Sequence, residues 1–219
     1  VPLVIFDLDN TLIDREVPLR RWAAQFVAEY AFEPDEAQWL VSADGDGFVP
    51  RPRFLSAVRE RYGLDEPLDA LLDSFRDQIV ALIDLDPQVP LALDRLRRGG
   101  WQVAIATNGS TAHQSAKIRR TGLNAHIDAL AISEEVGVAK PDPRIFQVAA
   151  QRCGTRLEDG GWMVGDCPVR DVAGGQNVGL RTIWMRRGRT WDPATQAPDA
   201  MANDVAGAVA VLTSSAPMV

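Results

Sequence analysis

The sequence predicts an α/β fold, a parallel sheet flanked by helices and interrupted early by an all-helical insert. Three observations carry that expectation. Val4-Ile5-Phe6 is an apolar run that breaks into a turn at Asp7-Leu8-Asp9-Asn10-Thr11; residues 15–85 show only helical periodicity; and from Pro87 onward short apolar runs alternate with amphipathic ones.

The first element is a buried strand whose two closing aspartates, Asp7 and Asp9, share one side if the chain stays extended. Helical spacing then recurs over residues 20–30 (Trp22, Phe26, Val27 and Tyr30), 35–41, 53–62 and 68–83. Pro34, Pro50, Pro52 and Pro67 sit near the starts, where proline is tolerated. These stretches predict a helical domain over residues 15–85, leaving 1–14 and 86–219 for the α/β core. Within it, Asp44-Gly45-Asp46-Gly47-Phe48 opens like a calcium loop, but Leu55 stands where the closing acid is required. We expect a glycine-rich turn between helices there. A second reading is a substrate-facing tip with Arg51 or Arg53 as anion contacts.

After Pro87 a helix over 91–98 stops at Gly99-Gly100, and a strand over 101–107 follows. Next come a helix (110–121), a strand (129–133), a helix (143–153), a strand (162–164) running into Gly165-Asp166, a helix (169–177), a strand (181–185) and a closing helix (205–212). Such alternation gives parallel strands, and ligands of parallel sheets sit outside the carboxyl ends.

Composition narrows the function. A net charge of −7 and a pI of 4.9 argue against a nucleic-acid partner, because affinity for phosphate backbones comes from clustered Lys and Arg. No run approaches the roughly 18 apolar residues of a membrane span, and the first residues read as a strand, so the expected place is the cytoplasm. Cys153 and Cys167 lack zinc spacing and are expected to be free thiols. His113 and His126 are too few for a histidine zinc site. Neither a Gly-x-Ser-x-Gly elbow nor a Walker loop occurs, so oxygen must carry any metal.

The residues just past the strands form a coherent set: Asp7 and Asp9; Thr107-Asn108-Gly109; Glu134-Glu135 with Lys140; and Asp166 with Asp171. Paired carboxylates supply a nucleophile and a general acid. A hydroxyl and backbone N–H groups entering a helix make a phosphate cradle. A lysine offsets phosphoryl charge, and further carboxylates complete a Mg²⁺ shell. Each piece alone also reads as a turn, a cap or a solvated loop residue. Their agreement is what points to phosphoryl chemistry, and Lys140 is one of only two lysines, the other being Lys117.

The order Asp7-x-Asp9-x-Thr11, Thr107-Asn108-Gly109, Lys140-Pro141-Asp142-Pro143 and Gly165-Asp166-x-x-x-x-Asp171 closely resembles the haloacid dehalogenase superfamily, in its phosphatase-like branch. The resemblance implies a Rossmann-like core with a type I helical cap that selects substrate, and a Mg²⁺-dependent hydrolase of a small phosphate ester. By the same resemblance Asp7 is the nucleophile, Asp9 the acid and base, and Thr107 and Asn108 hold phosphoryl oxygens. Lys140 steadies Asp7. Asp166 binds Mg²⁺ with the Asp7 carboxylate and the Asp9 carbonyl, while Asp171 orients Lys140 or a metal-bound water. Arg15, Arg51 and Arg53 are the cap candidates for substrate. The family also contains sugar-phosphate mutases, which use the same aspartates, and 2-haloacid dehalogenases, which need no leaving-group acid. A catalytically idle binding module is the reading outside enzymes. A phosphonatase would want a cap lysine, and residues 15–85 contain none. One magnesium ion with bonds of ~2.1 Å further demands that Asp166 lie within about 8 Å of Asp7.

Overall fold

The computed structural model describes residues 1–214. The chain divides into two compact units, Asp14–Asp84 and Val1–Ile13 joined with the chain from Leu85 onward. In order it runs β1 (Leu3–Phe6), α1 (Glu16–Glu29), α2 (Glu36–Asp44), α3 (Arg51–Tyr62), α4 (Leu68–Ala81), α5 (Gln88–Arg98), β2 (Gln102–Thr107), α6 (Thr111–Thr121), β3 (Ala129–Ile132) and α7 (Ser133–Val136). Then follow α8 (Pro143–Arg152), β4 (Trp162–Gly165), α9 (Gly174–Asn177), β5 (Arg181–Met185), β6 (Ala200–Ala202) and α10 (Val205–Ser214).

The larger unit is built on a six-stranded sheet, parallel throughout, in the order β3-β2-β1-β4-β5-β6. All four residues of β1 are buried, as a parallel strand covered on both faces requires. Leu3, Ile5, Ala104, Ala106, Ala129, Ala131 and Met163 join Ile145, Phe146, Ala149 and Ala150 of α8 in one core. Four alanines on the sheet leave room for the Phe146 ring. Alternate residues such as Val4 and Val103 face the other way, the side on which α5 packs against β2 and α10. Strand order proceeds from β1 to β2 and β3, then resumes at β4 on the opposite flank. The carboxyl end of β1 therefore lies at the topological switch point, where open α/β sheets bind their ligands.

Three elements differ from expectation, the first being α7, a short helix that takes in Ser133 where the strand was expected to end. The helix expected over 169–177 begins as a π-helical segment, Pro168–Ala173, before α9. Nothing in the sequence pattern marks β6, whose three residues extend the sheet edge beside β5. Asp199 fixes it, accepting from the Thr182 backbone N–H at 2.8 Å. Among the described residues, no helix is long and apolar enough to cross a membrane.

The smaller unit is a four-helix cluster around Trp22, Phe26, Leu40, Phe54, Leu55, Val58 and Phe75. Trp22 meets Phe75 edge-on at 4.7 Å and donates its indole N–H to Gln78 at 2.8 Å. Truncating Phe75 to Ala removes one ring from both the Trp22 and Phe54 contacts. It is expected to destabilise the protein by about 3–5 kcal/mol, read from chemical denaturation. The glycine-rich stretch is indeed a turn between helices. Gly45 ends α2 in the left-handed region, and the buried Asp44 accepts the Gly47 N–H at 2.7 Å while pairing with Arg51 and with Arg15, the latter at 3.6 Å. Arg53 is exposed and stands outside that cluster.

Candidate active site

β1 ends at Phe6, and Asp7 follows with its N–H still donating to Val164 of β4 at 2.8 Å. That last ladder bond fixes its carboxyl at the switch point. On the far side of β1, β4 runs out through Gly165 to Asp166, and the π-helical turn returns Asp171 to the strand end. Asp171 accepts the Cys167 backbone N–H at 2.9 Å. Only glycine fits at Gly165, because a Cβ there would lie 2.4 Å from the Asp171 carboxyl carbon.

Lys140 joins these two strand ends. Its ammonium donates to Asp7 Oδ1 at 2.6 Å and to Asp171 Oδ1 at 2.7 Å. The Asn108 amide holds the Lys140 backbone, donating to its carbonyl at 3.0 Å and accepting its N–H at 2.8 Å. Asn108 thus ties the end of β2 to Lys140 through its side chain, a contact not foreseen from the sequence. Thr107 is buried beside it, and Thr11 donates to Asp7 Oδ2 at 3.4 Å.

One carboxylate oxygen from each of Asp7, Asp166 and Asp171 lies within 4.8 Å of the others. All three residues are buried, and Arg189 reaches Asp166 Oδ2 at 3.1 Å from the partly exposed rim. Burial pushes the Asp7 carboxyl up from 3.8 to about 7. Lys140 pulls against that rise, and Asp171 and Asp166 add to it by repulsion. Burial also works against the charge of Lys140, but Asp171 and Asp7 more than offset it and hold its pKa above the ordinary lysine value. Three acids thus gather, two of them on the buried Lys140 ammonium and Asp166 on Arg189, and a divalent ion would relieve the repulsion among them. An all-oxygen donor set suits a hard cation.

The other expected residues are placed differently. After Asp7 the chain bends at Leu8 and turns through Asn10 at φ +63°, so Asp9 lies beyond the strand. The Asp9 carboxylate takes Lys117 Nζ at 2.7 and 2.8 Å and Gln114 Nε2 at 3.0 Å. Glu134 accepts the Thr111 N–H at 2.8 Å and Glu135 pairs with Arg152, so neither carboxylate belongs to the acid cluster. Lys117 and Gln114 belong to none of the sequence motifs. Their signal was the rarity of lysine and a three-residue spacing that stacks them on one helix face. Arg15 and Arg51 converge on Asp44 within the helical unit.

A family model described as haloacid dehalogenase-like hydrolase matches residues 1–179. The chain is 39% identical over 122 residues to the pyrimidine 5'-nucleotidase YjjG of Escherichia coli, which is 55% of this chain and spans about half, 54%, of that protein. It is 32% identical over 206 residues to a glyceraldehyde 3-phosphate phosphatase of Methanopyrus kandleri, covering 88% of this chain and 87% of that one. The solved structure of the HAD-hydrolase YfnB from Bacillus subtilis, bound to magnesium, superposes with a TM-score of 0.74 at 23% identity, covering 96% of this chain and 98% of that chain.

Proposed function

The chain belongs to the haloacid dehalogenase-like hydrolases, and we propose that it acts on phosphoric monoester bonds as a Mg²⁺-dependent phosphatase of a small metabolite working through an aspartyl-phosphate. The observation that carries this is the Lys140 bridge between Asp7 and Asp171, with Asp166 in the same buried cluster. An anionic nucleophile can approach an anionic phosphate only where positive charge is already in place.

In the first half-reaction an Asp7 oxygen bonds to phosphorus while the bond to the leaving oxygen breaks. That oxygen keeps the electron pair and takes the proton of Asp9. In the second, a water oxygen bonds to phosphorus, Asp9 takes the water's proton, and Asp7 departs as a carboxylate. Thr107 Oγ1 and the Asn108 backbone N–H hold phosphoryl oxygens. Lys140 orients Asp7 and balances its charge, and Asp171 orients Lys140. The Asp7 and Asp166 carboxylates and the Asp9 carbonyl would hold the Mg²⁺, which when bound offsets phosphoryl charge. The helical unit serves as a substrate-selecting cap, with Arg15, Arg51 and Arg53 as candidate contacts for the leaving group.

A panel of small phosphate monoesters, assayed for released phosphate with Mg²⁺ and with a chelator, tests the proposal. Net phosphate release that stops on chelation is expected. Undiminished turnover in chelator overturns the metal requirement, and isomerisation of a sugar phosphate without net release identifies a mutase instead.

The raised pKa of Asp7 adds a prediction for the metal-free protein. A carboxyl that binds its proton more tightly when folded contributes stability below about pH 4, and that contribution is lost as the pH rises through about 7. Without divalent ions the melting temperature is expected to fall by roughly 10 °C between about pH 5 and about pH 8. Mg²⁺ should restore more of it at the higher pH. A thermal scan showing an equal Mg²⁺ effect at both values would refute this.

A further inference from the structure

α6 begins at a Ser110 cap, where the hydroxyl accepts the His113 N–H, and carries Gln114 and Lys117 on one face. Both are buried. A buried ammonium needs a matched anion, and Lys117 finds both oxygens of Asp9. The Gln114 amide nitrogen donates twice, to Asp9 Oδ2 at 3.0 Å and to Thr107 Oγ1 at 2.6 Å. Gly109, at φ +148°, leaves that side chain its space, since a Cβ there would lie 3.0 Å from Gln114 Cγ. One rigid helix face therefore fixes the Asp9 carboxyl group and couples it to the hydroxyl at the end of β2.

We propose that Lys117 and Gln114 are the positioning residues of Asp9, setting where its carboxyl group stands relative to the phosphoryl group held by Thr107. This rests on the phosphatase reading above. The Asp9 proton must meet the leaving oxygen as the bond to phosphorus breaks, and misplacement harms the step in proportion to how much the departing group needs that proton. A role in folding alone would show no such dependence.

The test compares phenyl phosphate, whose phenolate leaves poorly without a proton, with 4-nitrophenyl phosphate, whose phenolate leaves readily. Lys117→Met is expected to lower kcat/KM for phenyl phosphate about 100-fold and for 4-nitrophenyl phosphate less than about 5-fold. Lys117→Arg keeps the charge and should recover most of the loss. In an Asp9→Asn background the same Lys117→Met change should add nothing, whereas a structural role would subtract equally in both backgrounds. Should Lys117→Met fail to fold by circular dichroism, Gln114→Met repeats the comparison with one donor removed and must show the same preferential loss. Equal losses on both substrates, or additive losses with Asp9→Asn, overturn the proposal. A wild-type protein inactive on both esters would instead bring down the phosphatase reading and this inference with it.

Discussion

Asp7→Asn is expected to lower phosphate release by at least about 10³-fold while leaving the protein folded. The amide has no anionic oxygen to bond to phosphorus, so the phosphoenzyme cannot form. Its carbonyl keeps the shape of the carboxylate and can still accept from Lys140, now at 2.6 Å, and from Thr11 at 3.4 Å. The substitution also removes one of three mutually repelling buried acids. Parallel measurement of released phosphate and of the circular-dichroism melt separates the two effects. Wild-type turnover in this variant would exclude Asp7 as nucleophile, whatever the substrate.

The second large effect falls on stability as well as activity. In Lys140→Met the ammonium that bridges Asp7 and Asp171 disappears, and buried carboxylates face one another without their common partner. Breaking a buried ion pair from one side costs about 3–5 kcal/mol, which for a chain of this size lowers the melting temperature by roughly 10 °C or more. Turnover should vanish too, because the negative charge of a phosphoryl group would meet Asp7 and Asp171 without their shared counter-charge. Lys140→Arg is not expected to rescue it, since a planar guanidinium does not fit the space of a compact ammonium held within 2.7 Å of two carboxylates. A metal-free Lys140→Met protein melting with the wild type would show that Lys140 is not the internal counter-charge.

The acid–lysine cluster was legible in the sequence because each member lies in the chain that leaves the carboxyl end of a strand. Asp7, Asp166 and the loop carrying Lys140 inherit their positions from the sheet, so strand-helix alternation already gathers them at one rim. Asp171 was legible through its spacing from Gly165, although the π-helical turn that brings it back was not. Asp9 shows where periodicity stops being informative. Two residues beyond Asp7, the chain has left the strand, and the Asp9 carboxylate meets Lys117 of α6. Alternation applies only while the backbone stays extended. Lys117 and Gln114 were hidden for a related reason: helical spacing gives the face they share but not what that face meets. β6 escaped because three residues, two of them alanine, carry too little pattern to mark a strand.

The strand that leads the chain stands in the middle of the sheet, yet Leu3 pairs with Gln102 and Val4 with Trp162. Its partners are therefore still unmade when it emerges from the ribosome, whereas the contacts of the helical unit close within Asp14–Asp84. Local helices consolidate faster than distant strand pairings, so the insert should assemble ahead of the segment that precedes it. The order of folding is thus expected to reverse the order of synthesis, leaving an apolar ribbon to be kept from wrong partners until its neighbours arrive.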